Sequence, residues 1–277
     1  MTNPRLKIGI LNLMHDKAAT QQRFSSIFKA LDPTVELTFF YPVDHYRNRP
    51  VPKLVQQISE PLDLNKVSQL QGFIITGAPI EQIPFAQVEY HDEVTRLIDT
   101  LVDLNIPQLY ICWGAMAAAN YLYGIEKRQL TKKYFGVFDN EVLVETPVLN
   151  GLTIPFPAPH ARYAELDHDQ IRQTPGLTIN AVSSDDYLLS LTGSDNQDFL
   201  FAHLEYDRLA LLAEYQRETA AHPDRYYALP KNYFKDINTL TDPQFKWEKV
   251  QQLYFKNWLQ KTAEYSRNAL TIAKELF

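Results

Sequence analysis

Short apolar runs alternate with amphipathic stretches through the first half of the chain. Lys7–Leu13 (KIGILNL), rich in leucine and β-branched residues, predicts a buried strand. Ala18–Leu31 then sets Phe24, Ile27, Phe28 and Leu31 at helical spacing, and Asp32-Pro33 stops it. Val35–Phe40 and Gly72–Thr76 predict two further strands, the second ending in the turn Gly77-Ala78-Pro79. Tyr90–Leu104 is a helix with Val94, Leu97, Ile98 and Leu101 on one face; Pro107–Cys112 is a fourth strand, followed at once by the alanine-rich helix Ala115–Tyr123. Strand and helix alternating over short connections predict a mostly parallel sheet with helices on both faces. The second half is less regular. Val137–Val148, Leu177–Leu191 and Asp198–His203 contain strand-like runs, Leu209–Thr219 and Lys246–Leu270 are helical, and Ala221–Asp242 is expected to loop over the surface. On the last helix, Trp247, Val250, Leu253, Trp258 and Leu259 form the expected core face.

Composition narrows the chemistry. The 277 residues can bury a large core without splitting, and no repeat or flexible linker divides them, so one domain is expected. A single cysteine rules out an internal disulfide, a four-cysteine zinc site and a CxxC redox pair. No GxGxxG, GxxxxGK[ST] or GxSxG occurs, so the usual dinucleotide, P-loop and serine-hydrolase signatures are missing. A net charge of −6 gives no overall attraction to nucleic acid or to an anionic membrane. Nothing after Met1–Lys7 has the length of a signal peptide core or a membrane span, and a reducing cytoplasm fits the cysteine count.

The lone thiol, Cys112, sits in Tyr110-Ile111-Cys112-Trp113-Gly114, where a strand passes into a helix. A nucleophile on such an elbow is exposed at the carboxyl edge of the sheet, and the N–H of the next residue, Trp113, can face a developing oxyanion. Gly114 suits the turn because it has no Cβ to clash with the neighbouring strand. A helix N-terminus beneath the sulfur favours the thiolate. Most free cysteines are simply buried, and taken alone Cys112 fits that role as well. His203-Leu204-Glu205 alters the balance. If the preceding strand continues, His203 and Glu205 project from one face, as a general base and its orienting carboxylate must. The other histidines carry less: His160 lies in what looks like a rigid turn, Pro157–Tyr163, and His168 in a solvated one. His15, His45, His91 and His222 are expected at the surface, and no metal is expected because no ligand spacing accompanies them.

At these residues the sequence resembles the homoserine O-acyltransferases of the homoserine transsuccinylase type, which share the flavodoxin-like fold of class I glutamine amidotransferases. The likeness runs in order through Lys7–Leu13, Ile75-Thr76-Gly77-Ala78-Pro79, Ile111-Cys112-Trp113-Gly114 and Tyr123-Gly124-Ile125. It continues through Phe135-Gly136-Val137, Pro159-His160-Ala161-Arg162-Tyr163, His203–Asp207, Asn232-Tyr233-Phe234 and Asn257-Trp258-Leu259. It implies a single acyltransferase domain spanning residues 1–277, no cofactor beyond acetyl-CoA as co-substrate, and a place in cysteine or methionine biosynthesis. It also implies ping-pong transfer from an acyl-CoA, with Cys112 carrying the acyl group, His203 as base and Glu205 orienting it. By the same likeness Ala78 joins Trp113 in the oxyanion hole, and Lys133, Arg217, Ala161 and Arg162 meet the amino acid. A homodimer is left open.

Glu81 stands where the family selects its acyl donor. A carboxylate about 4 Å from a succinyl terminus repels it by roughly 4 kcal/mol at an effective dielectric near 20, so acetyl-CoA is expected. Two departures bear on the carry-over: the usual proline between histidine and glutamate is Leu204, and the family's Pro-His-Ser-Arg reads Pro159-His160-Ala161-Arg162. Losing that serine hydroxyl changes the acceptor pocket, and the expectation is L-serine ahead of L-homoserine. Homoserine O-acetyl- or O-succinyltransfer is the alternative. A glutamine amidotransferase-like hydrolase and a non-catalytic thiol sensor are more distant ones.

Overall fold

The computed structural model describes residues 6–194 and 196–275. β1 (Lys7–Leu11) leads into α1 (Lys17–Leu31), whose N-cap Asp16 accepts from the Ala19 N–H, and then β2 (Glu36–Tyr41). The short α2 (Lys53–Ile58), β3 (Glu60–Pro61) and α3 (Leu64–Val67) precede β4 (Gly72–Ile75), α4 (His91–Asp103), β5 (Gln108–Ile111) and α5 (Trp113–Tyr123). A long hairpin of β6 (Lys127–Val142) and β7 (Phe156–Leu166) follows, then α6 (His168–Gln173), β8 (Thr178–Ser183), β9 (Leu188–Thr192) and β10 (Gln197–Leu200). The chain ends with α7 (Ala210–Ala221), the small hairpin β11 (Phe234–Asp236) and β12 (Thr241–Pro243), and α8 (Glu248–Glu275).

Among the described residues, ten strands form one sheet in the order β3-β2-β1-β4-β5-β10-β9-β8-β6-β7. Pairings from β3 to β10 are parallel and the rest antiparallel. The strand order reverses at β1/β4, the point where open α/β sheets place a crevice at the carboxyl ends of their strands. Both faces are covered. Ile8, Ile10, Ile74, Leu109 and Ile111 pack with Phe24, Phe28, Phe255 and Trp258 of α1 and α8. The alternate residues, Leu11, Phe73, Ile75 and Tyr110, pack with Leu97, Ile98 and Met116 of α4 and α5. That two-sided burial is why these strands read as unbroken apolar runs. Among the described residues, no helix is long and apolar enough to cross a membrane.

Several expectations need correcting. The turn expected around His160 is the middle of β7, and His160 is fully buried. Pro157 and Pro159 misled because proline usually breaks a ladder; β7 is the last strand of the sheet, where proline is tolerated. His168 begins α6 and is buried beside Glu165, not solvated. Residues 221–242 are not loop throughout, since β11 and the start of β12 lie within them. The strand expected to run to His203 stops at Leu200, and that expected to run to Leu13 stops at Leu11.

Candidate active site

Cys112 caps the start of α5 with φ 50° and ψ −109°, a conformation that L-residues avoid and that costs on the order of 1–3 kcal/mol. The surroundings hold it there: its N–H donates to Leu200 O at 2.7 Å, and its carbonyl accepts from Met116 N at 2.9 Å. Gly114 is required by closeness to β4, because a Cβ there would lie 2.8 Å from both Ile75 O and Thr76 O. Gly77 is also confined: its Cβ would lie 3.2 Å from Cys112 Cβ and from His203 Cε1. The end of β4 thus runs directly against the thiol and the imidazole.

His203 and Glu205 reach the site from a turn, not from a strand. His203 N–H donates to Pro159 O at 2.8 Å, tying the turn to β7, and Tyr206 N–H closes it on His203 O at 2.9 Å. From the other side α8 holds the same backbone: Trp247 Nε1 donates to Tyr206 O at 2.9 Å, and Gln251 Nε2 donates to Leu204 O. His203 Nδ1 meets Glu205 Oε1 at 2.7 Å, while the Tyr206 ring stacks on the imidazole at 4.4 Å. Among the described residues, Glu205 Oε2 is buried without a hydrogen-bond partner. Burial alone would depress the His203 pKa. The charges of Glu205 and Cys112, with hydrogen bonds to both, outweigh it and raise the value well above normal. The buried imidazolium is therefore held between a carboxylate and the sulfur.

A cavity of about 1410 Å³ opens over Cys112 and His203, and Ala78, Glu81, Lys133, Ala161 and Arg217 line it. Trp113 places its ring in the core against Tyr90 and its N–H at the first position of α5, where no intrahelical acceptor exists. Glu81 is buried, and its Oε1 accepts from Tyr163 N at 3.1 Å. Burial pushes its pKa up, against the lowering effect of backbone donors and of Lys133. Lys133 does not belong to a solvated run: its Nζ is buried and donates to Glu218 Oε1 at 2.6 Å and to Glu214 Oε1. Arg217 Nη1 donates to His15 Nε2 at 2.9 Å; burial and this guanidinium depress the His15 pKa and keep it an acceptor.

Arg162 is off the cavity. Alternation along β7 sends Ala161 to the cavity and Arg162 to the opposite face, fully buried. Its Nη2 donates to Glu165 Oε2 at 2.6 Å and to Leu188 O at 2.8 Å; Nη1 donates to Phe201 O at 3.0 Å and to His160 Nδ1 at 2.7 Å. It braces the chain just before His203 and is not placed to touch a substrate in the cavity. Sequence reasoning passed over Glu214 and Tyr206. Glu214 is buried against Lys133 and accepts from Tyr206 OH at 2.9 Å; burial raises its pKa, but Lys133 wins and keeps it an ionised carboxylate. Its signal was present in the spacing, since Glu214 and Arg217 are three apart on α7 and share a face.

The family model for homoserine O-succinyltransferase matches residues 3–267. The chain belongs to that family. Membership makes it an amino-acid O-acyltransferase, with an acyl donor and an amino acid as its substrates. Within the family, the chain is 48% identical to a serine O-acetyltransferase of Lactobacillus acidophilus over 94% of this chain and 97% of that one. It is 46% identical to a serine O-acetyltransferase of Lacticaseibacillus casei, covering 96% of this chain and 98% of the other. A homoserine O-acetyltransferase of Clostridium tetani is 34% identical over 92% of this chain and 84% of its own. Among solved structures, a glutamine amidotransferase from Thermotoga maritima superimposes with a TM-score of 0.64 at 12% identity, covering 94% of this chain and 99% of that one. One from Methylobacillus flagellatus gives 0.59 at 13%, covering 95% and 92%. At such identity the likeness carries the fold alone, the expected class I glutamine amidotransferase-like architecture.

Proposed function

We propose that the protein transfers an acetyl group from acetyl-CoA to the side-chain hydroxyl of L-serine, ahead of L-homoserine, through a thioester on Cys112. The observation that carries this is the Cys112–His203–Glu205 constellation opening into one cavity whose acceptor wall holds Ala161 in place of a hydroxyl residue. The two serine O-acetyltransferases, at 48% and 46% identity, support the same acceptor.

In the first half-reaction the Cys112 thiolate attacks the thioester carbonyl, and the oxyanion faces the N–H groups of Trp113 and Ala78. Collapse expels the CoA thiolate, which takes the His203 proton and leaves as the free thiol. Acylation also removes the sulfur's negative charge, one of the charges that raise the His203 pKa. His203 thus becomes a neutral base at the step that needs one. It then takes the proton of the serine hydroxyl as that oxygen attacks the acyl-thioester. The O-acetylated amino acid departs, and the thiolate–imidazolium pair returns. The amino acid is held by Arg217 on its carboxylate and by ionised Glu214 on its ammonium, with Lys133 keeping Glu214 charged. No cofactor beyond the acyl-CoA co-substrate takes part.

Intact-mass spectrometry after mixing with acetyl-CoA alone should find one acetyl adduct, absent from Cys112→Ala. Rates with serine and homoserine, side by side, test the acceptor. A kcat/KM for homoserine well above that for serine would reverse that choice, and the absence of any adduct would sink the mechanism.

A further inference from the structure

The cavity over Cys112, at about 1410 Å³, exceeds the roughly 300–1,000 Å³ that encloses a drug-sized ligand. An acetyl group and a small amino acid fill a minor part of it. The remainder is bounded by two segments, Leu130–Phe135 of β6 and residues 222–231 after α7, and these carry three exposed cations: Lys132, Arg225 and Lys231. The cavity's other cations are engaged, Lys133 by Glu214 and Glu218, and Arg217 by His15. Among the described residues, none of the exposed three has a carboxylate partner. Of the carboxylates lining the cavity, Glu214 and Glu218 are bound to Lys133 and Glu81 to the Tyr163 N–H, leaving Asp185 exposed. In a chain of net charge −6, unpaired cations gathered round one opening do not follow from overall composition.

Their placement is built into the backbone. Lys231 is bonded to β6, the strand of Lys132, by Lys231 N–H to Phe135 O at 3.0 Å and Val137 N–H to Lys231 O at 2.9 Å. Gly136 between them has φ +140°, and a Cβ there would lie 2.4 Å from Lys231 N, so only glycine admits this approach. The same segment carries Tyr226, 92% exposed, a free aromatic face of the kind on which a nucleobase stacks.

We propose that Lys132, Arg225 and Lys231 form a phosphate clamp that holds the diphosphate and 3′-phosphate of the acyl-CoA donor at the cavity mouth. The proposal rests on the acyl-CoA reading above and adds where the nucleotide end binds. The test compares two donors in the full-length protein: acetyl-CoA, and S-acetyl-N-acetylcysteamine, a thioester with no phosphate. In K132A/R225A/K231A, all at exposed positions, KM for acetyl-CoA should rise about tenfold or more with kcat within about twofold. With the truncated thioester, kcat/KM should stay at the wild-type value, and Cys112 should still acquire its acetyl adduct. Added salt should raise the wild-type KM for acetyl-CoA and leave that of the variant flat. An unchanged KM for acetyl-CoA, or an equal loss with both donors, would overturn the clamp. A wild-type protein acylated by neither thioester would overturn the underlying reading instead, and the clamp with it.

Discussion

His203 Nδ1 lies 2.7 Å from Glu205 Oε1 although neither residue is in a strand. A turn bonded to β7 on one side and to α8 on the other makes the contact that pleat alternation was expected to make. Among the described residues, the carboxylate's second oxygen has no hydrogen-bond partner. Glu205→Gln keeps the shape and removes the charge. The expected result is a fall in kcat of about 100-fold or more, with slower formation of the acyl-enzyme in rapid-quench mass measurements. Because Glu205 helps keep His203 protonated, the variant's imidazolium should also be lost at lower pH, moving the alkaline limb of the acylation pH profile downward.

Two glycines at the elbow separate folding from chemistry. Gly114→Ala drives a methyl against two backbone oxygens at 2.8 Å, which cannot rotate away. A loss of about 1–3 kcal/mol in urea unfolding is expected. Gly77→Ala meets Cys112 Cβ, which its backbone fixes, and His203 Cε1, both at 3.2 Å, and only the imidazole can yield by turning aside. Its stability should fall by less than that of Gly114→Ala, while the rate of Cys112 acylation falls by about tenfold or more. Equal rates of acylation in Gly77→Ala and wild type would show that the contact does not set the geometry.

Arg162 braces the residues before His203 from the far side of the sheet, with Glu165 buried beside it. Arg162→Met should leave Glu165 without its cation and cost about 3–5 kcal/mol of stability. Removing both charges, as Arg162→Met with Glu165→Gln, should recover part of that loss. KM for the amino acid should hold near the wild-type value in the double variant; a large rise would return Arg162 to the substrate pocket.

How far the sequence spoke for the structure depended on whether a residue's setting was local. The strands Lys7–Leu11, Gly72–Ile75 and Gln108–Ile111 were legible because both faces are buried and each reads as an apolar run. The cysteine elbow was legible because strand, thiol, glycine and helix are consecutive. Lys133 was not: among neighbouring lysines it looks solvated, and its burial comes from carboxylates 81 and 85 residues away. Arg162 shows the opposite failure. The likeness to a family motif assigned it to the pocket beside Ala161, but adjacent residues on a strand face opposite sides. The His203–Glu205 pair was expected correctly for the wrong local reason, since two-residue spacing in a turn and in a strand look alike.

The proposed role of Glu81 in choosing the acyl donor divides into bulk and charge, and the two can be told apart. It is buried at the cavity wall, and burial raises its pKa. Its carboxylate fraction therefore grows as pH rises through that raised value, and repulsion of a succinyl terminus grows with it. The ratio of acetyl-CoA to succinyl-CoA kcat/KM should increase with pH in the wild type and be flat in Glu81→Gln. Glu81→Gly removes bulk as well and should admit succinyl-CoA more readily than Glu81→Gln does. Continued exclusion of succinyl-CoA by Glu81→Gly would show that another residue guards the donor.

The proposed choice of acceptor rests on Ala161, which pairs with Phe135 in the β6–β7 ladder and lines the cavity that holds Cys112 and His203. Serine and homoserine differ by one methylene, which simple fit separates by only about 1–3 kcal/mol, so one added polar contact can reverse the preference. Ala161→Ser puts a hydroxyl where a longer acceptor could use it. With no acceptor bound, a buried hydroxyl lacking a partner costs about 1–3 kcal/mol, so the variant should be less stable in the absence of substrate. The ratio of kcat/KM for homoserine to that for serine should rise about tenfold or more, carried mainly by homoserine. If the ratio stays fixed while the variant folds and acylates normally, chain length is not read at this position, and Arg217 and Glu214 on α7 become the place to look. If serine remains favoured but both rates fall together, the hydroxyl has only crowded the pocket. Ala161→Gly then separates the cases, since it relieves crowding without offering a hydrogen bond and should leave the ratio unchanged.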